Sequence, residues 1–171
     1  GFVFDCYGLC NAAGQPLTMA SHRRWRQCPA DFGATSFGEI PVHGDQAQAL
    51  EAKLFDYTAR LLGSIKYHGI FGIEWLQDRA TGELYLIDFN ARPFSSIGHL
   101  SSCGLNLPMM AYEELLHGDM PPPQRVQLKH SYWVDFLSDI YVFRAKRAAG
   151  KLSWPMWLKS LLLCRSFALW A

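Results

Sequence analysis

The chain has 171 residues, a formal net charge of +1, and hydrophobic side chains at half of its positions. This length is sufficient for a domain with a substantial core. The near-neutral charge gives no electrostatic footprint for nucleic acid, so we expect no nucleic-acid partner. The five cysteines are odd in number and show no CxxC pair and no metal-ligand spacing. Together with the lack of a signal-peptide pattern, they predict reduced thiols in a cytoplasmic protein.

The chain opens directly on a strand pattern. Residues 1–10 (GFVFDCYGLC) predict a strand, residues 11–16 a turn, and residues 17–24 the return strand. Because the pattern starts in mid-strand without a capping element, we interpret the chain as a piece of a longer protein.

A dense basic cluster, HRRWR, occupies residues 22–26. On a strand, Arg24 and Arg26 share a face and Arg23 points away. The planar guanidinium suits phosphates or an acidic substrate, whereas the alternative is a solvated strand end. Residues 33–38 predict either a flexible loop over a site or a simple connector.

Residues 45–67 predict the clearest helix. Apolar residues recur there near helical spacing, and polar residues fall on the opposite side. Asp45 is the expected N-cap and Gly69 the expected stop. We expect this helix to cover the apolar face of the segment that follows.

That segment, residues 69–92 (GIFGIEWLQDRATGELYLIDFNAR), predicts a β-hairpin with a turn at residues 78–82. Glu74 lies between Ile73 and Trp75, and Asp88 lies within a similarly apolar run. Carboxylates are rarely buried unless they are paired or bind a metal.

Pairing Leu76 with Leu86 would place Glu74 opposite Asp88 and Gly72 opposite Asn90. One face of the hairpin would then carry Glu74, Asp88 and Asn90, with open space beside Gly72. The other face would be apolar and would comprise Ile73, Trp75, Tyr85, Ile87 and Phe89.

Two carboxylates and an amide on one sheet face suit a hard divalent cation such as Mg²⁺, which takes oxygen ligands and keeps several from water and phosphates. Arg92, two residues beyond Asn90, could hold a phosphate or a developing oxyanion at the same end of the strand. The alternative is a surface hairpin with scattered charges.

The pattern of Glu74 on one strand, then Asp88-Phe89-Asn90-Ala91-Arg92 on the next, resembles the metal-binding end of the ATP-grasp superfamily. Residues 26–36 are similar to a segment of carboxylate–amine ligases of that superfamily, including D-aspartate ligase-like proteins. Residues 104–112 resemble the family's helix after the metal strand. The likeness covers roughly residues 1–120. One departure is Asp88, where the family more often has Glu.

The resemblance implies an α+β fold, with an antiparallel sheet flanked by helices as in the C-terminal half of an ATP-grasp domain. It implies ATP and Mg²⁺ (or Mn²⁺) as cofactors and ligation of a small carboxylic acid to an amine through an acyl phosphate. By the same resemblance, Glu74, Asp88 and Asn90 would hold the metal and Arg92 would be catalytic. Arg26, or its neighbour Arg24, would face the triphosphate.

The family also has an earlier lobe whose lysines hold the nucleotide phosphates, and no stretch of this chain supplies it. A non-catalytic remnant of the fold is therefore one alternative function. Oligomeric state is open, with a homodimer among the arrangements to test.

Residues 93–99 predict a loop in which Ser95, Ser96 and His99 could reach an acceptor substrate. A Ser–His hydrolase is disfavoured because there is no GxSxG motif and no carboxylate evidently placed to orient His99. Residues 107–117 predict a short core helix. The prolines at 121–123 predict a boundary between a domain at 1–120 and an extension at 121–171.

The extension predicts a strand at 124–135, a helix at 138–149, and a final apolar helix that begins at Ser153 and docks on the domain. Its tryptophans and cations offer a second alternative function, a membrane-surface accessory domain with an interfacial helix. Of the two, we favour the docked helix, with membrane contact as the less favoured alternative.

Overall fold

The computed structural model describes residues 1–30, 32–118 and 126–169. Its centre is a seven-stranded sheet in the order β5-β4-β1-β2-β3-β6-β7. The strands are β1 (Phe2–Cys10), β2 (Pro16–Cys28), β3 (Ala34–Ile40), β4 (Gly69–Gln77), β5 (Leu84–Asn90), β6 (Ser131–Asp135) and β7 (Cys164–Ala168). The helices are α1 (Ala47–Ile65), α2 (Ile97–Ser102), α3 (Leu107–His117), α4 (Phe136–Ala148) and α5 (Trp154–Leu162).

Neighbouring strands are antiparallel except for β6 and β7, which pair in parallel. The predicted α+β class, with a mostly antiparallel sheet flanked by helices, is confirmed. Strand β1 lies between β2 and β4. Side chains from all three strands can therefore lie side by side on one face of the sheet.

Helix α1 covers one face of the sheet, as predicted. Its buried Leu50, Leu54 and Leu62 pack in one core with strand residues such as Phe4 and Ile73. The helix begins at Ala47 after Gln46, which makes no side-chain cap, so the predicted Asp45 cap is wrong. It ends at Lys66 in a left-handed conformation rather than at Gly69.

Helices α2 and α3 contribute to a second core on the opposite face. Leu100, Cys103 and Leu107 pack there with Tyr7 and Leu9 of β1. Side chains of a strand alternate between faces, so Asp5 of β1 lies on the same face as this second core. The polar side chains of Asp5, Glu74 and Asn90 lie together on this face.

The hairpin register is confirmed at its polar end. Glu74 pairs with Asp88 and Gly72 pairs with Asn90, as predicted. A register shift follows between Glu74 and Trp75, so the predicted pairing of Leu76 with Leu86 is wrong: Leu76 lies opposite Tyr85.

The shift inserts Ile87 as an extra residue in β5 and reverses the faces beyond it. Leu84 is buried in the α1 core, whereas Tyr85 and Ile87 are more than half exposed. The prediction that Tyr85 and Ile87 face the helix is therefore wrong. Ile73 and Trp75 do lie in that core.

Several elements differ from the sequence-based expectations. Residues 33–38, expected to be a loop or connector, belong mostly to β3, and residues 97–102 form α2 within an expected loop. The predicted final helix ends at Leu162 and is followed by β7. The predicted proline boundary at 121–123 lies outside the described residues. In the part of the chain that the structure describes, no helix combines the length and apolarity needed to cross a membrane.

Candidate functional site

A cleft of about 180 Å³ opens on the sheet face opposite α1, where side chains of β1, β2, β4 and β5 meet. Its lining combines carboxylates, arginines and aromatic rings: Asp5, Tyr7, Arg24, Ala34, Thr35, Gly72, Glu74, Asn90, Arg92, Phe94 and Ser95.

The three side chains predicted as metal ligands lie together at this cleft. The Asn90 amide nitrogen is 2.8 Å from Asp88 Oδ2 and 3.5 Å from Glu74 Oε1. Glu74 and Asn90 line the cleft, whereas Asp88, on the exposed edge strand, lies at its margin. The structure therefore groups two carboxylates and an amide as the strand register predicted.

Arg24 lies on the floor of the cleft between two carboxylates. Its Nε is 2.9 Å from Asp5 Oδ2, and its Nη2 is 2.5 Å from Asp5 Oδ1 and 2.6 Å from Glu74 Oε1. Its Nη1 donates to the carbonyl of Gly33 at 2.9 Å. These bonds fix the guanidinium against the sheet, where it forms part of the lining of the cleft.

Burial alone would raise the pKa of Asp5, but Arg24 and the hydrogen bond from His22 outweigh burial and lower that pKa. Burial by itself would depress the pKa of Arg24, and Asp5 and Glu74 reverse the effect and raise it. Both groups are therefore charged at neutral pH, and the buried ion pair is stable there.

Tyr7 and His22 extend the polar network beneath the cleft. His22 Nδ1 lies 2.5 Å from Asp5 Oδ2 and 3.2 Å from the Tyr7 hydroxyl. Burial raises the pKa of Tyr7 well above its usual value, so the phenol remains protonated. The Tyr7 ring stacks on Phe94 with centroids 3.6 Å apart.

The space beside Gly72 is smaller than the strand register suggested. A Cβ at this position would lie 3.3 Å from both the Tyr7 and Phe94 rings. The aromatic stack therefore forms a wall of the cleft where the sequence predicted empty space beside Gly72.

Arg92 also lines the cleft, and its Nη1 donates to the carbonyl of Pro93 at 3.1 Å. No carboxylate among residues 1–30, 32–118 and 126–169 forms an ion pair with it. Its charge is thus available to an anion that enters the cleft.

Arg26 does not join Arg24 at the cleft. The pairing of β2 with β3 shifts on both sides of Arg26, and its guanidinium binds Asp139 of α4 at 2.7 and 2.8 Å. Trp157 donates to the same carboxylate at 2.7 Å. The prediction that Arg24 and Arg26 share a face of the strand is wrong because these bulges interrupt the alternation of side chains.

The serines and histidine of the segment after β5 separate from one another. Ser95 lines the cleft, whereas Ser96 and His99 are buried. Neither ring nitrogen of His99 has a hydrogen-bond partner among the described side and main chains. Burial lowers the pKa of His99 to about 3. This geometry gives no support to a Ser–His hydrolase.

Asp5 was not predicted as a site residue, although it is a carboxylate within an apolar strand, which is the pattern that identified Glu74. Asp5 stands between Phe4 and Cys6 in an apolar strand, where a carboxylate needs a partner. Tyr7 and Phe94 carried no such signal, because aromatic residues in strands usually pack in the core.

The donor set at the cleft fits a small hard cation. Glu74 and Asp88 supply carboxylate oxygens, and the Asn90 amide, whose nitrogen faces both carboxylates, would supply its Oδ1 after a rotation of the amide. Mg²⁺ takes oxygen ligands and commonly few of them from protein. Nowhere in the described ranges do three or more His, Cys, Asp or Glu side chains cluster as metal ligands do. The site therefore suits a cation that draws its remaining ligands from water or substrate, rather than a cation enclosed by protein.

No protein-family model matches the chain, and no curated protein matches it in sequence. Solved structures do match in fold. Pyruvate carboxylase from Rhizobium etli superposes with a TM-score of 0.62 at 17% identity, covering 77% of this chain and 13% of that one. Biotin carboxylase from Campylobacter jejuni, in a β,γ-ATP complex, gives 0.62 at 15% identity, covering 77% and 29%.

The biotin carboxylase domain of a thermophilic 2-oxoglutarate carboxylase, bound to ADP, gives a TM-score of 0.59 at 13% identity. The match covers 77% of this chain and 29% of that one. Biotin carboxylase domains are ATP-grasp structures, so the predicted resemblance to that superfamily is confirmed at the level of the fold. The chain spans less than a third of each of these matched proteins.

Proposed function

We propose that this chain forms the metal-binding part of an ATP-dependent ligase that joins a small carboxylic acid to an amine. The single observation that carries the proposal is the pairing of Glu74 with Asp88 beside Asn90, on the polar face of an ATP-grasp-like sheet. Its support from the comparisons is the likeness in fold to structures that contain ATP or ADP.

The charges of the cleft favour a divalent cation. Asp5, Glu74 and Asp88 contribute three negative charges near its floor and margin, and Arg24 and Arg92, which also line the cleft, offset two of them. The net charge of the site stays negative, which favours a dication with Glu74, Asp88 and Asn90 as its protein ligands. The chemistry that a bound Mg²⁺ supplies is neutralisation of charge on phosphate oxygens during phosphoryl transfer.

The proposed reaction has two steps. A carboxylate oxygen of the acid attacks the γ-phosphorus of ATP, the bond to the β-phosphate oxygen breaks, and ADP leaves. The amine nitrogen then attacks the acyl carbon, inorganic phosphate departs with its oxygen, and the nitrogen loses a proton. Each step builds negative charge on oxygen atoms of the reacting group.

Arg92 is the proposed catalytic residue because its guanidinium reaches the cleft without a carboxylate partner in the described structure. A fixed cation stabilises an oxyanion most where it needs no rearrangement during the reaction. Arg24 is the proposed phosphate contact, since it lines the same cleft and Asp5 holds it in place. Arg26, bound to Asp139, takes no part in this proposal.

Hydroxylamine trapping tests the proposal without knowledge of the natural amine. The chain is incubated with ATP, Mg²⁺, hydroxylamine and pools of small carboxylic acids, and hydroxamate and ADP are quantified. Acid-dependent formation of both in equal amounts supports the ligase, because hydroxylamine captures the activated acyl group. Arg92→Gln should reduce the rate by about 100-fold.

Matched controls show what a low yield of hydroxamate or ADP means. Arg79→Gln removes an exposed arginine at the turn of the same hairpin and should leave the rate unchanged. ADP formation without hydroxamate would contradict carboxylate activation and indicate ATP hydrolysis alone. Nucleotide binding without either product, for every acid pool, would favour a non-catalytic remnant.

A further inference from the structure

Charge is unevenly distributed along this chain. Residues 136–171 contain six Lys or Arg and one Asp, so they carry a net charge of +5. The whole chain has a net charge of +1, so the preceding 135 residues carry −4. The single acidic residue of the C-terminal part, Asp139, is buried and paired with Arg26. The accessible charge of this part is therefore entirely basic.

Helix α5 presents apolar side chains on its outer side. Trp157 is buried against α4, whereas Met156, Leu158 and Leu162 are 59%, 50% and 86% exposed. Lys159 is exposed on the same side of the helix. A helix that packs on a globular domain with its outer side in water usually carries polar residues at such outward positions.

The groove between α4 and α5 continues this surface. It has a volume of about 650 Å³ and is lined by aromatic rings and arginines. Trp154 is half exposed, and the Arg147 guanidinium lies 5.3 Å from its ring centroid. Arg144 lines the groove on the same helix as Arg147. Aromatic rings beside cations are typical of segments that rest at the boundary between lipid and water.

We propose that this tail surface, defined as Arg144, Arg147, Trp154, Leu158, Lys159 and Leu162, docks on an anionic lipid bilayer. The apolar side chains would enter the boundary between headgroups and acyl chains, and the cations would bind lipid phosphates and carboxylates. This inference goes beyond the proposed ligase function and does not depend on it.

The occupant is a membrane rather than a protein groove because of charge complementarity. No Asp or Glu occurs in residues 140–171, so the surface has no negative group to repel anionic lipid. The exposed Leu158 and Leu162 lie on the same helix as Lys159, and a helix that carries both apolar and cationic side chains is typical of binding to anionic lipid. Each Lys or Arg near an anionic surface strengthens binding about fivefold.

Vesicle flotation of the full chain tests the proposal. Vesicles of phosphatidylcholine are compared with vesicles that contain phosphatidylcholine and phosphatidylserine, at low and high salt. We expect flotation only with phosphatidylserine and a strong reduction by salt. Arg144→Gln with Lys159→Gln should weaken binding about 25-fold, since each cation contributes about fivefold.

The apolar contribution has a matched control within the chain. Leu158→Gln with Leu162→Gln should abolish flotation, whereas Leu115→Gln with Leu116→Gln should not. Leu115 and Leu116 are similarly exposed, at 75% and 58%, but lie on α3 near Glu113 and Glu114. Circular dichroism confirms that each variant is folded before flotation is measured.

Two results would overturn the proposal. One is equal flotation, or none, with the two kinds of vesicle. The other is a concentration-dependent dimer in light scattering that Leu158→Gln with Leu162→Gln abolishes while wild-type protein fails to float. The tail surface would then be an interface between copies of this chain.

Discussion

Asp5 and Arg24 form a two-point ion pair beneath the cleft: both carboxylate oxygens of Asp5 bind the guanidinium, at 2.9 and 2.5 Å. The side chain of Asp5 is fully buried and that of Arg24 is 7% exposed. This pair fixes the guanidinium that we propose as the phosphate contact. The pair therefore links the stability of the sheet to the chemistry of the cleft.

Asp5→Asn should destabilise the fold by about 3 kcal/mol, because it leaves a buried guanidinium with one carboxylate partner instead of two. Urea unfolding at neutral pH measures the change. Asp56→Asn is the matched control, since Asp56 pairs with Arg60 at the surface. Its cost should be below about 0.5 kcal/mol. Equal losses in the two variants would contradict a structural role for the buried pair.

Arg26→Gln should destabilise the chain by about 3 kcal/mol, because Asp139 would remain buried without its cation. The affinity of the folded protein for Mn²⁺–ATP should stay within about twofold of wild type, as Arg26 lies away from the cleft. Arg24→Gln, the matched arginine of the same strand, should change that affinity more. Nucleotide titration of both variants decides between them, and a larger effect of Arg26 would restore it to the site.

His99 should make stability depend on pH. Its pKa falls from 6.5 to about 3 on burial, so the unfolded chain takes up a proton that the folded chain excludes. Stability is then full above pH 6.5 and falls as the pH drops from there towards 3, by about 1.4 kcal/mol per unit.

His99→Met should remove this contribution, about 1 kcal/mol between pH 7 and 5.5. Urea unfolding at the two pH values measures it. His117→Met, which replaces an exposed histidine of α3, should keep the wild-type dependence. An unchanged pH dependence in His99→Met would show that His99 is not the group responsible.

The local alternation of polar and apolar residues predicted the hairpin register at Glu74 and Asp88, because burial of one face allows only one pairing. It could not predict Ile87 as a bulged residue, since the two strands carry apolar residues at nearly every position there. Once an extra residue is inserted, Tyr85 and Leu84 exchange faces. The error is confined to the part of the hairpin beyond the metal-ligand candidates.

Arg26 and β7 show two further limits of local sequence patterns. The position of the Arg26 side chain depends on its ion pair with Asp139, which is 113 residues away. No local sequence pattern contains that information. Most positions of residues 153–171 are apolar, so periodicity did not distinguish the helix from the strand that follows it. Strand β7 forms because the edge of β6 offers parallel hydrogen bonds, which is a property of the folded sheet.

We propose that Glu74, Asp88 and Asn90 hold a divalent cation together with a nucleotide. Electron paramagnetic resonance of Mn²⁺ in the presence of ATP tests it most directly, with Asp88→Ala compared with wild type and with Asp56→Ala. We predict bound Mn²⁺ in wild type and in Asp56→Ala, and affinity reduced by about tenfold or more in Asp88→Ala because a direct oxygen ligand is lost. Equal Mn²⁺ binding by all three proteins, or binding by none, would contradict the claim.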